Sequence, residues 1–379
     1  MLLEHLEATG VRNLERFAID LSPGLNAVVG SNGSGKTALL EAVYLLGRAR
    51  SFRTHQIATV IGHHQPSLTV HGRFSDPERG TVSLGVSRDR QKEPTYRVNG
   101  ESTHKASRLA ALLPIQLLLP DVSELVLGSP AGRRRFLDWG VFHVKHTYLE
   151  QWRLYKKTLQ QRNSLLKKMD PSSFRQKPPA QSPQGFWLSS AGSQLSIWTE
   201  RLAHLGMAVD GLRKDYLQGY FNHTFDVLKA LKAPDGLNLS YYQGWKGGSF
   251  EDALRADIER DIRRGATHSG PHKSDLVLEV GGSRAATQLS RGQAKTVAHS
   301  MHLAQALFLQ KERDAKSLFL IDDVAAELDE QHAQVFFELL YELEFQVLST
   351  SVQAPEIGHA FRVNRQKTFH VKQGIVSEL

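Results

Sequence analysis

Residues 30–37 read Gly30-Ser31-Asn32-Gly33-Ser34-Gly35-Lys36-Thr37, an unbroken G-x-x-x-x-G-K-[ST] run. The apolar stretch Leu25-Asn26-Ala27-Val28-Val29 precedes it and the helix-like stretch Ala38 to Leu46 follows. That order commits the chain to a strand, a glycine turn and a helix, a unit of α/β nucleotide-binding folds. Glycine freedom lets several backbone N–H groups face one point, where the helix N-terminus adds the positive end of its dipole. A nucleoside triphosphate suits such a loop. Lys36 is the expected counter-charge for the phosphate oxygens, and the Thr37 hydroxyl is the expected Mg2+ ligand.

A loop of this kind needs an acid from elsewhere in the chain. Ser317-Leu318-Phe319-Leu320-Ile321-Asp322-Asp323 supplies it, because a continuous apolar run reads as a buried parallel strand whose C-terminal carboxylates reach the loop's metal. Asp322 is the expected metal-side acid, and Asp323 the group that orients or polarises the attacking water. Leu289-Ser290-Arg291-Gly292-Gln293 opens a helix running through Phe308. Ser290, Gly292 and Gln293 read equally as a second anion site and as a capping box, and the two are compatible.

At 379 residues the chain exceeds one compact core, so two domains or lobes are expected. Leu109 to Leu119 is strongly apolar, yet Pro114 and Gln116 interrupt it and it is too short to cross a bilayer. No export signal is apparent at Met1-Leu2-Leu3-Glu4-His5. The absence of cysteine excludes disulfides and thiolate zinc sites. A cytoplasmic, non-membrane protein is the expectation. The net charge of +8 points to an anionic partner, and its distribution narrows the choice. Arg48, Arg50 and Arg53 follow the first helix, and Arg133, Arg134 and Arg135 are consecutive. From Lys145 to Lys168, Arg153, Lys156, Lys157, Arg162 and Lys167 recur almost without acids. One-sided charge suits the phosphates of DNA, with Arg50, Arg53, Lys156, Lys157 and Arg162 as the candidate contacts.

Period-two patterning predicts strands at Leu3 to Ala8, Leu68 to Phe74, Thr81 to Val86 and Tyr96 to Val98, the last closed by Asn99-Gly100. Helical spacing dominates from Arg133 to Leu166, where Phe136, Trp139, Tyr148, Trp152, Tyr155 and Leu159 read as core packing. Residues 170–185, rich in Pro, Ser and Gln, read as a loop within the helical region. The expected fold is therefore α/β, with a parallel core sheet and an antiparallel β element in one lobe. That lobe joins residues 1–120 to 266–379, and the helical lobe occupies 121–265.

These motifs resemble the ATP-binding-cassette ATPases, whose signature is Leu-Ser-Gly-Gly-Gln, and more closely their SMC-like branch. Glu327-Leu328-Asp329 is similar to that superfamily's D-loop. The resemblance implies that Ser290 and Gly292 of one subunit touch the γ-phosphate held by Lys36 of another, so that ATP is shared in a homodimer, with Gln293 and Asp329 also at the nucleotide. Further segments resemble the bacterial RecF family of recombination mediators. They are Arg12-Asn13-Leu14, Pro120-Asp121 with Gly128-Ser129-Pro130 and Arg133-Arg134-Arg135-Phe136-Leu137-Asp138, Ser269-Gly270-Pro271-His272-Lys273-Ser274-Asp275, and Ile321 to Asp329. That family implies a slow Mg2+-dependent ATPase used as a switch, in a dimer that binds gapped or single-stranded DNA. It implies the partners RecO and RecR in recombinase loading, and a part in repair, replication restart and SOS induction.

The chain departs from the family at Lys273 and Ser274, where Arg and Asp are usual, and no switch histidine follows the strand Phe345 to Leu348. Ser349-Thr350-Ser351 stands there instead, with Thr350 and Ser351 as candidate γ-phosphate sensors. A transporter motor would need a membrane partner, and an ATPase-controlled nuclease an acidic metal domain. His268 and His272 are four apart, but Gly270-Pro271 breaks any helix that would align them on a metal.

Overall fold

The computed structural model describes residues 1–169, 186–187, 190–323, 330–352 and 365–379. The loop 170–185 and the D-loop, including Asp329, lie outside the described residues. The chain divides into two compact units.

The first unit comprises Met1–Ser123, Thr224–Ala233 and Ser290–Leu379. It contains two six-stranded sheets. One is antiparallel, in the order β2-β1-β4-β5-β6-β7, built from β1 (Leu2–Val11), β2 (Leu14–Asp20), β4 (Ser67–Asp76), β5 (Gly80–Asp89), β6 (Thr95–Val98) and β7 (Glu101–Thr103). Its β6–β7 turn is Asn99-Gly100, both at positive φ, as a tight hairpin demands. The other sheet runs β15-β14-β3-β13-β12-β8, with β3 (Leu25–Val29), β8 (Ile115–Leu118), β12 (Leu318–Ile321), β13 (Gln346–Ser351), β14 (Gln366–Lys372) and β15 (Ile375–Glu378). Neighbours from β14 to β8 pair in parallel, and β15 closes the edge antiparallel to β14. Continuous burial of β3, β12 and β13 is what a strand covered on both faces requires.

Helix α1 (Lys36–Arg48) packs against strands of both sheets, and every residue from Ala38 to Gly47 is buried. No polar face is needed on that stretch, which is shielded from water all round. Gly47 marks the closeness, since a Cβ there would lie 2.5 Å from Ile115 Cδ1.

The second unit comprises Glu124–His223 and Pro234–Leu289. It holds α2 (Pro130–Val144), α3 (Tyr148–Leu166), most of α4 (Ser190–Ala230) and a three-stranded sheet of β9 (Leu237–Tyr242), β10 (Asp275–Val280) and β11 (Ser283–Arg284) in the order β11-β10-β9. The aromatic stripe is core: Phe136, Trp139, Tyr148 and Tyr155 are buried, and Trp152 stacks on Tyr155 with the Arg213 guanidinium 5.0 Å from its ring centre. Sequence reading places residues 266–289 with the parallel core, but β10 (Asp275–Val280) pairs antiparallel with β9 (Leu237–Tyr242), Leu278 opposite Leu239. An apolar five-residue run fits either sheet, and the partner strand decides.

Two histidines, the buried His299 and the half-buried His272, set an acid limit. His272 in the second unit receives the Tyr155 hydroxyl at Nδ1 (2.6 Å) and donates Nε2–H to the Thr267 carbonyl (3.0 Å), so it is neutral. Burial pushes its pKa down to about 4, and that of His299 in the first unit likewise to about 4. The unfolded chain takes up these protons near pH 6.5. Each therefore contributes stability that is complete above pH 6.5 and is lost as pH falls towards 4. Thermal melts should show Tm falling across that window, with a shallower fall in His272→Gln; the same slope in that variant would remove His272 from the account.

Candidate functional site

The phosphate loop begins where β3 delivers the chain to Gly30. Gly30, Gly33 and Gly35 have φ of 151°, 79° and 121°, a region that disfavours side chains. A Cβ on Gly30 would sit 2.3 Å from the Val371 carbonyl oxygen. Asn13, in the β1–β2 turn, donates from Nδ2 to the carbonyls of Gly33 (3.2 Å) and Ser34 (3.1 Å). Fixing those carbonyls helps orient the loop's N–H groups towards the anion position. Gly35 caps α1 without a side-chain bond, and the first turn carries no acid, so the helix start remains available to an anion. Lys36 Nζ donates to the Gly30 carbonyl at 2.7 Å and the Ser31 carbonyl at 3.0 Å, which holds the ammonium over the loop.

Asp322 follows the last residue of β12, and its N–H extends the parallel ladder to Leu118 (2.9 Å). Strand β13 lies between β3 and β12, so the residue near its end bridges loop and acid. That residue is Thr350. Its hydroxyl donates to Asp322 Oδ1 at 2.6 Å and accepts the Asp323 N–H at 2.9 Å. The Thr37 hydroxyl donates to the same carboxylate, at 3.0 Å from Oδ1. Two hydroxyls converging on one carboxylate make a hard-oxygen set, which suits Mg2+ rather than a soft metal. Asp323 takes φ 55°, a left-handed conformation that Asp tolerates better than most residues. Thr350 thus holds the acids, whereas a γ-phosphate sensor would present a hydroxyl not already committed to them.

Lys36, Thr37, Asn13, Asn32, Gly33, Gly35, Pro120, Asp322, Asp323, Thr350 and Val352 line one cleft of about 290 Å³. Arg53 lines it too. Expected from its charge as a DNA contact, it is brought to this cleft by the turn after α1. A larger cavity of about 760 Å³ shares Asn13 and is bordered by Arg12, Thr59, His63, His64, Gln65 and Arg90. No local motif marks the two histidines.

Ser290 N-caps helix α5 (Arg291–Arg313) in a complete capping box: its Oγ accepts the Gln293 N–H (3.2 Å) and Gln293 Oε1 accepts its N–H (3.0 Å). Ser290, Gly292 and Gln293 are exposed, and none lines the cleft of their own chain.

The basic track of the second unit separates into two kinds of residue. Lys156 and Lys157 are exposed on α3, and Arg50 is exposed in the first unit. Arg162 is fully buried, its Nη1 donating to Asp261 (2.8 Å) and to Thr267 (2.6 Å), and it cannot reach a DNA phosphate. Arg133, first of the three consecutive arginines, is likewise buried in a bidentate pair with Asp275 (2.7 and 3.0 Å). A signal was present: Arg162 follows Tyr155 by seven residues, as Tyr155 follows Tyr148, so all three share the inward stripe.

The family description "RecF/RecN/SMC N terminal domain" matches residues 2–377. The chain is 40% identical over 381 residues to the DNA replication and repair protein RecF of Stutzerimonas stutzeri (strain A1501), covering 100% of this chain and 98% of the relative. It is 39% identical to that of Chromohalobacter salexigens, covering 99% of each. Among solved structures, the recombination mediator protein RecF-ATP in the RecFOR pathway superposes with a TM-score of 0.80 at 24% identity, covering 100% of this chain and 97% of the other. An Smc head bound to the C-winged helix domain of ScpA follows at 0.57 and 16%, covering 100% and 97%. Both share the fold. No described helix is long and apolar enough to cross a membrane.

Proposed function

The chain belongs to the RecF family, and from that premise we propose that it is an ATP-switched DNA-binding protein of recombinational repair. The observation that carries this reading is the single cleft in which Lys36 faces the Thr37–Asp322–Thr350 cluster. Phosphates would sit on the N–H groups of the loop and the start of α1, with Lys36 as counter-charge. The base and ribose would extend past Asn13 into the cavity bordered by Arg12 and His63. Thr37 and Asp322 would hold Mg2+, which when bound neutralises charge developing on the transferred phosphoryl group. Asp323, fixed by Thr350, would orient water; an Asp here reaches less far than a Glu, consistent with slow turnover.

The exposed Ser290 cap needs a nucleotide from elsewhere, and a second copy of the chain supplies one. ATP would then close a dimer, and hydrolysis would release it. In this reading the closed dimer binds gapped or single-stranded DNA and cooperates with RecO and RecR to load recombinase, in repair, replication restart and SOS induction. Support comes from the names borne by full-length relatives and from the basic surface.

Gel filtration with and without ATP, repeated on gapped duplex, tests it. Wild type should move to the dimer with ATP, while Ser290→Arg should bind ATP and stay monomeric because the guanidinium crowds the partner's γ-phosphate. An ATP-dependent dimer of that variant would end the shared-site reading. For DNA, affinity should fall linearly with log salt, and each phosphate contact removed by Ala at Arg50, Lys156 or Lys157 should lower the slope by about 0.9 on duplex. A triple variant with an unchanged slope would move the DNA path elsewhere.

A further inference from the structure

Glu41 lies in the middle of α1 with a fully buried carboxylate. A buried carboxylate is costly unless several donors meet it. Three do. Arg12 binds it through Nε (2.7 Å to Oε2) and Nη2 (2.9 Å to Oε1), and the Ser51 hydroxyl donates to Oε1.

Ser51 is itself buried, and its hydrogen-bonding capacity is fully assigned. Its one proton goes to Glu41, so its oxygen accepts, taking the N–H of Arg53 at 2.9 Å and of Thr54 at 3.0 Å. These bonds fix the backbone from which the Arg53 side chain reaches the phosphate cleft. The other end of the network is equally anchored. Arg12 Nη1 donates to the Thr59 carbonyl (2.8 Å), and its neighbour Asn13 pins the loop carbonyls of Gly33 and Ser34. Glu41 follows Lys36 by five residues on one rigid helix, so the carboxylate fixes Arg53 relative to Lys36.

We propose that Ser51, oriented by Glu41, is a positioning residue that sets Arg53 as a second cation on the phosphates of the bound nucleotide. This rests on the reading of the cleft as a triphosphate site. Arg53 would meet phosphate oxygens directly, and Ser51 would act only through it. A network that serves folding alone would leave Ser51 and Arg53 energetically independent.

The test is a double-mutant cycle read by single-turnover ATP hydrolysis, with ATP affinity and Tm measured alongside. Arg53→Ala should slow hydrolysis about a hundredfold. Ser51→Ala should slow it about tenfold by misplacing Arg53, and Ser51→Thr should restore most of the loss. In the Arg53→Ala background, Ser51→Ala should cost nothing further. A full tenfold loss in that background, or wild-type turnover in Arg53→Ala, would overturn the proposal. If Ser51→Ala does not fold, hydrogen exchange in the wild type decides: the Arg53 and Thr54 amides should be protected, and free exchange at both would overturn it. Failure of wild type to bind ATP would instead strike the underlying reading of the cleft.

Discussion

Lys36→Ala should bind ATP two to four orders of magnitude more weakly than wild type, with its fold intact. Lys36 is half-exposed at the start of α1, and its ammonium makes two bonds to loop carbonyls that a nucleotide would exchange for bonds to phosphate. A hydrogen bond to a charged group contributes about 1.5–3 kcal/mol, so two amount to about 3–6 kcal/mol, and each 1.4 kcal/mol is a factor of about ten. Lys36→Arg should retain part of the binding and lose hydrolysis, because a planar fork does not replace a compact ammonium within a closed loop. Calorimetry with ATP and Mg2+ measures both. Equal affinity of wild type and Lys36→Ala would remove the phosphate-loop assignment.

The second large effect falls on stability. Arg162→Ala leaves Asp261 buried with a charge whose remaining contacts are the His268 N–H and ring, each at 3.0 Å. Removing one partner of a buried ion pair costs about 3–5 kcal/mol. For a unit of this size that corresponds to a Tm lower by roughly 6–20 °C. Arg162→Ala with Asp261→Leu should recover part of the loss, since no unpaired carboxylate then remains. By contrast Lys157→Ala, five residues earlier on the exposed face of α3, should leave Tm within about 1 °C. A folded Arg162→Ala variant with wild-type Tm and weakened DNA binding would restore Arg162 to the DNA surface.

The contrast between Arg162 and Lys157 shows where sequence reading fails. Both belong to one run of basic residues, and charge patterning treats them alike. What separates them is an Asp 99 residues away from Arg162. The place of Arg53 at the cleft is hidden from sequence for a related reason. Its position after α1 was legible, but the fold-back that brings it to the cleft depends on Ser51 meeting a carboxylate inside the helix. Glu41 gave no warning, because a Glu in a helix is ordinarily a solvent-facing residue.

The sequence alone determined the strand, loop and helix around Gly30 to Thr37, the strand ending at Asp322, the Ser290 cap, the antiparallel hairpins and the aromatic core of α2 and α3. Each is written in contiguous residues, since backbone conformation and side-chain period are local properties. Only the tertiary structure decided that β13 lies between β3 and β12, which makes Thr350 the bridge between the acids. Only it placed β10 beside β9, and it alone sorted the arginines into buried partners and exposed cations. Those outcomes depend on strand order and on pairs separated by about a hundred residues or more. An apolar run or an isolated charge carries no record of its distant partner, and in a buried site that partner fixes the role.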